Sequence, residues 1–179
     1  VLTGGPGTGK TTTVNAILAL FQNQADRVAL CAPTGRAAKR LSELTGQKAQ
    51  TIHRLLEVDY DPQIHLLRFI HNEKNLLKCG VVVLDEMSMV DAKLFQSLLA
   101  ALKHGCRIIM VGDADQLPSV GPGNILSEVI RSGVVPTVCL TRIFRQQNQS
   151  MIVENAHRIV HGLVPQRGDR NSDFFFLQA

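Results

Sequence analysis

The feature that most constrains this chain is a glycine-rich run near its first residue, Gly4-Gly5-Pro6-Gly7-Thr8-Gly9-Lys10-Thr11. The run matches G-x-x-x-x-G-K-[ST] and lies between a short apolar segment and a helix-like segment, which is the setting of a phosphate-binding P-loop. Its glycines let backbone N–H groups surround a phosphate, and the following helix directs the positive end of its dipole to the same charge. We therefore expect residues 5–12, including Thr12, to bind a nucleotide.

Two side chains of this run suit separate tasks. The ammonium of Lys10 can neutralise the β- and γ-phosphates and so contribute to catalysis, whereas the hydroxyl of Thr11 is the kind of hard oxygen ligand that Mg²⁺ prefers. A glycine-rich turn with a surface lysine is the alternative interpretation. The position of the run between a strand and a helix argues against that alternative.

A second candidate element is the apolar run Val81-Val82-Val83-Leu84, which leads into Asp85-Glu86. Such a run predicts a buried strand, and α/β sheets place ligands at the carboxyl ends of their strands. Consecutive strand side chains point to opposite sides, so the two acids should have different roles. We expect Asp85 to hold Mg²⁺, directly or through its water, and Glu86 to orient and deprotonate an attacking water.

Short β-branched runs alternate with helix-like patterns, which predicts an α/β fold with a parallel sheet flanked by helices, in one domain over residues 1–179. Strands are expected at 27–32, 81–85, 107–112 and 137–141, and helices at 34–46, 91–104 and between 148 and 162. The segment 59–76 breaks the alternation, because an Asp61-Pro62 turn signal precedes mixed apolar and basic residues. It predicts a small inserted hairpin.

The composition narrows the class of protein. A hydrophobic fraction of 45% in 179 residues favours a compact globule, and no apolar stretch approaches the roughly 18 residues of a membrane span. The four cysteines are far apart with no C-x-x-C pair, and the first residues do not resemble a signal peptide. We therefore expect reduced thiols and a cytoplasmic location. The net charge of +4 suits a nucleic-acid partner without requiring one.

Two further segments are predicted to reach the same edge of the sheet as the P-loop. Pro33-Thr34-Gly35-Arg36 follows the second strand, and Thr51-Ile52-His53-Arg54 begins a short helix. Hydroxyl groups, guanidinium groups and free helix N–H groups can together contact a phosphodiester backbone. On these residues alone, an ordinary capped helix with a solvated basic residue is equally compatible.

The loops after the last two strands also carry candidate residues. Residues 112–123, GDADQLPSVGPG, are rich in Gly, Pro, Asp and Gln, which is typical of a loop with a function. Its Gln116 can sense a γ-phosphate or position water. In Leu140-Thr141-Arg142-Ile143-Phe144-Arg145-Gln146, Arg145 is a candidate for stabilising transition-state charge, and Phe144 for stacking on a base. A surface arginine and a core phenylalanine explain that last segment equally well.

The order of these motifs resembles that of a known family. GGPGTGKTTT, APTGRAAKRLSE, TIHRLL, VVVLDEMSMVD, GDADQLPSVGPG and LTRIFRQ are similar to motifs I, Ia, Ib, II, III and IV of the RecD-like helicases, the branch of superfamily 1 that moves 5′ to 3′. The resemblance implies a RecA-like fold and ATP and Mg²⁺ as cofactors. The implied partners are single-stranded DNA, duplex junctions and other subunits of a recombination nuclease complex.

The resemblance also implies residue roles. Lys10 and Thr11 resemble the phosphate and magnesium residues of the family, Asp85 and Glu86 its acidic pair, Gln116 its γ-phosphate sensor and Arg145 its motif IV arginine. The residues that resemble its single-strand contacts are Pro33, Thr34, Gly35, Arg36, Thr51 and His53.

The resemblance gives further expectations for the rest of the chain. The segment 59–76 lies where such enzymes place a pin that splits the duplex, and 163–179 should lead to a second motor domain. Motifs V and VI and the upstream segment that reads adenine are absent, so we expect weak activity from this chain alone. Two alternatives remain open: the helicase part of a conjugative relaxase, and a nucleotide-dependent switch that does not move along DNA.

His157 and His161 form a separate feature near the end of the chain. Their i, i+4 spacing puts both on one face of a helix, where such pairs can bind zinc. No further ligand pattern lies nearby, so we interpret them as surface or packing residues.

Overall fold

The computed structural model describes residues 1–22, 27–61, 66–142, 150–167 and 172–176. Its strands are β1 (Leu2–Gly4), β2 (Val28–Ala32), β3 (Ala49–Thr51), β4 (Val58–Asp61), β5 (Leu66–Phe69), β6 (Val81–Leu84), β7 (Arg107–Gly112) and β8 (Val138–Leu140). Six of them form one sheet in the order β3-β2-β6-β7-β1-β8, and every pairing in it is parallel. The predicted parallel α/β sheet is therefore confirmed.

The helices connect the strands, as parallel pairing requires. They are α1 (Lys10–Gln22), α2 (Gly35–Thr45), α3 (Ile52–Leu56), α4 (Ala92–Ala100), α5 (Ile125–Ser132) and α6 (Met151–Val160). Side chains outside the helices determine where several of them begin. Thr34, Thr51, Asp91 and Ser150 each accept a hydrogen bond from a first-turn backbone N–H of α2, α3, α4 and α6.

The core lies on both faces of the sheet, and β6 shows how the sequence produces this. All four residues of β6 are fully buried, and their side chains alternate between two apolar clusters. Val82 and Leu84 pack in a cluster with residues of α3, α4 and α5. Val81 and Val83 pack in a cluster with residues of α1 and α2. The sheet is therefore covered by helices on both sides, and its polar loops lie at the strand ends.

Two elements had no counterpart among the sequence expectations, and several boundaries differ, most of them by one residue. The strand β3 and the helix α5 were not predicted. The helix expected over 91–104 ends at Ala100. Beyond this point the carbonyl of Ala101 accepts a hydrogen bond from Leu77 N at 2.8 Å, so this carbonyl bonds to a distant segment and not to the next turn of a helix. None of the described helices is long and apolar enough to cross a membrane.

The segment 59–76 overlaps two strands, β4 and β5, which pair antiparallel from Val58 opposite Phe69 to Asp61 opposite Leu66. At the base of this hairpin Ile70 N donates to Glu57 O at 2.8 Å, which continues the strand pairing, and His71 N donates to Leu56 O of α3 at 3.0 Å. Phe69 also packs against the apolar cluster below it. The hairpin thus has a fixed base.

Candidate nucleotide site and nucleic-acid edge

Residues 4–11 form the P-loop between β1 and α1, and the backbone of this loop depends on glycine. Gly7 and Gly9 have φ values of 78° and 87°, in the left-handed region that favours glycine. A Cβ added at Gly4 would lie 2.5 Å from the carbonyl oxygen of Leu140 on β8. The P-loop therefore combines a glycine-dependent conformation with close packing against the neighbouring strand.

The polar side chains of the P-loop bond to its own backbone. Lys10 Nζ donates to the carbonyl oxygens of Gly4 and Gly5 at 2.5 and 3.0 Å. Thr8, which is buried, donates from Oγ1 to Gly5 O at 2.8 Å. A phosphate beside Lys10 would compete with these two carbonyls for the ammonium hydrogens.

Three other predicted residues lie around this core of the loop. Pro6 is exposed, and Thr11 and Thr12 occupy the first turn of α1, half-buried and exposed respectively. First-turn residues have backbone N–H groups without a partner inside the helix, and the helix dipole favours negative charge there. The structure thus places the predicted phosphate residues, 5–12, in the loop after β1 and the first turn of α1.

Asp85 and Glu86 follow β6 at the same edge of the sheet. Burial raises the pKa of Asp85, while a backbone hydrogen bond from Glu86 and the charges of Lys10 and Arg40 act in the opposite direction. Burial also raises the pKa of Glu86; nearby Asp85 raises it further, and Lys10 and Arg40 again oppose the shift. Two acids, held partly out of water, therefore lie within electrostatic range of the P-loop ammonium.

The backbone at Glu86 is strained. Its φ and ψ are 52° and 43°, a left-handed conformation that is uncommon for a residue with a side chain. The turn Met87–Met89 follows immediately, and both Met87 and Ser88 are buried. Strain of this kind persists only where the surrounding structure over-determines it, and it concentrates at functional sites.

The loop after β7 turns around Asp113. This carboxylate is 3% exposed; its Oδ1 accepts from Asp115 N at 3.1 Å, and its Oδ2 accepts from Gln116 Nε2 at 3.3 Å. The side-chain amide of Gln116 is thus tethered. The charge of Asp113 also raises the pKa of Glu86, which places the Gln116 loop close to the acidic pair.

The far end of the same loop docks on α4. Ala92 N donates to Pro122 O at 2.9 Å, and an added Cβ at Gly121 would collide with the Asp91 carboxylate that caps α4. Between these two anchored ends, Leu117 and Val120 are almost wholly exposed. The loop is therefore fixed at both ends and presents apolar side chains at its tip.

The residues predicted to contact nucleic acid lie at the end of β2 and β3, which are neighbours in the sheet. Ala32 pairs in register with Thr51, so the turn 33–36 and the start of α3 lie side by side. Thr34 Oγ1 accepts from Ala37 N at 3.2 Å, and Thr51 Oγ1 accepts from Arg54 N at 3.1 Å. As caps, both hydroxyls use oxygen lone pairs and keep an O–H that can donate.

His53 connects this edge to the inserted hairpin. It is exposed, and its ring lies 5.8 Å from the ring of Phe69, centroid to centroid. Both side chains line a cleft of about 300 Å³ that also includes Arg68 and Lys93. The cleft runs between the hairpin base and the first turn of α4.

Comparison with known proteins shows the family to which the chain belongs. The sequence family described as "AAA domain" matches residues 1–122. The ATP-dependent RecD2 DNA helicase of Deinococcus radiodurans is 45% identical over 170 residues, covering 95% of this chain and 23% of that protein. The RecBCD enzyme subunit RecD of Mycolicibacterium smegmatis is 44% identical over 153 residues, covering 73% of this chain and 27% of that protein.

The chain belongs to this AAA-domain family, as a RecD-like superfamily 1 helicase motor domain. A crystal structure of Pif1 helicase from Candida albicans matches with a TM-score of 0.63 at 24% identity, over 92% of this chain and 41% of that one. That likeness confirms the expected RecA-like fold and shows nothing beyond the fold. The chain spans about a quarter of the length of the curated relatives it matches.

Two predicted residues of the motif IV segment of this helicase domain lie outside the described residues. These are Phe144 and Arg145, and their roles stay predictions. Two other charged residues, Arg40 and Asp113, were missed by the sequence reasoning although both act on Glu86. Signals for both were present: Arg40 lies one turn after Arg36 on α2, and Asp113 begins an Asp-x-x-Gln turn in which its carboxylate can bind the following backbone.

Proposed function

We propose that this domain binds and hydrolyses ATP and converts that hydrolysis into 5′ to 3′ movement on single-stranded DNA. The observation that carries the proposal is the arrangement of one sheet edge. The loops after β6, β7 and β1, three adjacent strands, carry the acids, the Gln116 turn and the P-loop. The loops after β2 and β3, the next two strands, carry the candidate DNA contacts. Coupling needs this kind of adjacency between a nucleotide site and a DNA track.

The residues present fit an ATP-bound magnesium ion. Thr11 offers a hydroxyl and Asp85 a carboxylate, both hard oxygen ligands, and Mg²⁺ typically takes one or two protein ligands together with phosphate oxygens and water. Bound there, Mg²⁺ would supply charge neutralisation at the phosphates. Lys10 would add a positive charge from the P-loop side, while the backbone of residues 5–12 orients the phosphates.

Glu86 is the proposed general base. A base is most effective when its pKa lies nearer the working pH, and burial with a neighbouring acid moves Glu86 in that direction. Gln116 donates one N–H of its Nε2 to Asp113. Its amide oxygen can still accept a hydrogen bond from a water, and its second N–H can donate to a γ-phosphate. Arg145 is proposed to stabilise transition-state charge, and Phe144 is proposed to stack on the nucleobase of the bound nucleotide.

On the DNA side, we propose contacts to the backbone of a single strand. Thr34 and Thr51 can each donate an O–H to a phosphate, and the exposed Arg36 adds a positive charge. Pro33, Gly35 and His53 complete this surface. Contacts to phosphate carry little sequence information, which suits a protein that must move along any sequence.

Unwinding belongs to the proposal for the whole protein. The Deinococcus radiodurans relative is named an ATP-dependent DNA helicase and the Mycolicibacterium smegmatis relative a subunit of the RecBCD enzyme. We propose by analogy that the protein carrying this chain separates DNA strands, with the β4–β5 hairpin acting as the pin, and that it works with other subunits in recombination or repair.

The test is ATP turnover by the protein that carries this chain, with and without a single-stranded oligonucleotide. A motor is expected to hydrolyse ATP much faster with the oligonucleotide. Lys10→Ala should lower nucleotide affinity by about 100-fold, because the P-loop loses a charged hydrogen-bond donor. Lys39→Ala is the matched control, since Lys39 is exposed on α2 and pairs with Glu43. Turnover indifferent to the oligonucleotide would favour a nucleotide-dependent switch instead.

A further inference from the structure

The helix α6 lies against the P-loop in space, although most of the sequence lies between the two segments. Polar contacts at its start and at its middle define its position. Ser150 caps its first turn and also bonds to Asp173. Asn155, which is 1% exposed, donates to Gln166 O at 2.8 Å and accepts from Gln166 N at 2.6 Å. These contacts fix the residues that α6 directs at the nucleotide site.

His157 of α6 contacts the P-loop. A Cβ added at Gly5 would lie 3.2 Å from His157 Cε1 and 3.8 Å from His157 Nε2, so the imidazole packs directly on the Gly5 backbone. Its Nε2 is buried and has no hydrogen-bond partner in the part of the chain that the structure describes. Ser88 Oγ is the other buried side-chain atom of this kind there.

A buried nitrogen without a partner destabilises the fold, so its presence requires an explanation. The explanation lies in Gly5, whose carbonyl accepts hydrogen bonds from Lys10 Nζ and Thr8 Oγ1. Lys10 must direct its ammonium hydrogens to a phosphate in order to bind one, and Gly5 O then keeps only Thr8 Oγ1 as a donor and has one acceptor position free. The imidazole of His157 lies against that same peptide.

We propose that His157 is a positioning residue of the P-loop: its Nε2–H replaces Lys10 as the donor to the Gly5 carbonyl when a nucleotide phosphate engages Lys10. This inference rests on the proposed nucleotide site. It requires the tautomer with hydrogen on Nε2, or the imidazolium ion, both of which provide the donor. His157 would thus stabilise the loop only in its nucleotide-loaded arrangement.

The test combines nucleotide affinity with stability, because the proposal predicts that the two respond differently. His157→Leu removes the donor and keeps an apolar side chain, His157→Gln retains an N–H donor, and His161→Leu is the matched control at the exposed C-cap of the same helix. The dissociation constant of magnesium ADP is measured by calorimetry, and the thermal unfolding midpoint is measured without nucleotide.

We expect His157→Leu to raise the ADP dissociation constant about 10-fold, the effect of one net hydrogen bond. Its unfolding midpoint should stay the same or rise, since an unpaired buried polar atom is removed. His157→Gln should recover most of the affinity, and His161→Leu should change neither quantity. An ADP affinity unchanged by His157→Leu, or lost equally in His157→Leu and His157→Gln, would overturn the proposal.

Failure of this inference is distinguishable from failure of the proposed function. If the unsubstituted protein binds magnesium ADP and Lys10→Ala weakens that binding, the nucleotide site stands whatever His157 does. If the unsubstituted protein and Lys10→Ala bind ADP equally poorly, the nucleotide site itself is wrong and the role of His157 is overturned with it.

Discussion

The two halves of the functional edge are built differently. The nucleotide half, the loops after β6, β7 and β1, contains buried or half-buried charges, a strained backbone at Glu86 and a tethered Gln116. The DNA half, the loops after β2 and β3, contains capping hydroxyls and exposed basic side chains on ordinary helix starts. The nucleotide half therefore holds its charged groups partly out of water, whereas the DNA half is open to water.

This difference matches the proposed tasks. Hydrolysis depends on charges fixed in place and held partly out of water, where electrostatic interactions are stronger. A grip on DNA that must be formed and released at every step depends on many weak, screened contacts. We therefore expect substitutions in the nucleotide half to have large and specific effects, and those in the DNA half to have small and general ones.

The largest expected effect is that of Glu86→Gln. Removal of the general base should lower the ATP turnover number by about 10²- to 10⁴-fold while nucleotide affinity stays within a few-fold. Phosphate release and nucleotide titration measure the two quantities separately. Glu43→Gln, on an exposed part of α2, is the matched control and should turn over normally. Normal turnover by Glu86→Gln would assign the base to another group.

The second prediction compares one glycine from each half. Gly4→Ala should lower the free energy of unfolding by about 2 kcal/mol, because the new methyl group meets the Leu140 carbonyl and the Thr8 hydroxyl. Gly35→Ala should be neutral or stabilising by about 0.5 kcal/mol, since nothing lies within 4 Å of an added Cβ and the residue begins a helix. Urea unfolding measures the free energy of unfolding of both variants. Equal losses of this free energy would contradict the proposed difference in packing between the two halves.

The third prediction concerns pH. Burial raises the pKa of Asp85 above its ordinary value of 3.8, so the folded state binds this proton more tightly than the unfolded state. Its contribution to stability is therefore present at low pH and is lost as pH rises through the raised pKa. Asp85→Asn should be more stable than the unsubstituted chain near neutral pH, and the gain should vanish as the pH falls towards 3.8.

Unfolding midpoints in urea between about pH 4 and about pH 8 measure this dependence. Glu43→Gln, which alters an exposed carboxylate, serves again as the control and should show no comparable trend. A stability gain for Asp85→Asn that is independent of pH would mean that packing, and not the charge, causes it.

The features that the sequence predicted are those that depend on residues close together along the chain. The strand over 107–112 has the predicted bounds, and Asp91 caps α4 as predicted, because short patterns determine both. The helix over 34–46 was also found, one residue shorter at each end. Local chemistry was sufficient wherever the relevant partners are neighbours along the chain.

Contacts between distant segments were not predictable in this way. The spacing of Arg36 and Arg40 marks a basic helix face but does not identify the acidic pair after β6 as its partner, and nothing near His157 indicates Gly5. The strand β3 was missed because it has only three residues, of which Gln50 and Thr51 are polar. Its position beside β2 depends on pairing in the folded sheet. These features follow from the order of strands, which a single sequence does not specify.

The smallest expected effect is that of Arg36→Ala in the DNA half. One exposed guanidinium contributes a single screened phosphate contact, so single-strand affinity should fall only about 3-fold and by the same factor for every base sequence. The more informative quantity is the salt dependence: the slope of log affinity against log salt should become shallower by about 0.7, the value for one phosphate contact on a single strand. Lys39→Ala is the control on the same helix. Fluorescence anisotropy at several salt concentrations, with oligonucleotides of two unrelated sequences, measures both. A loss confined to one sequence would indicate that Arg36 reads a base, and an unchanged slope would place it away from the DNA, leaving the threonine hydroxyls to form this half of the edge.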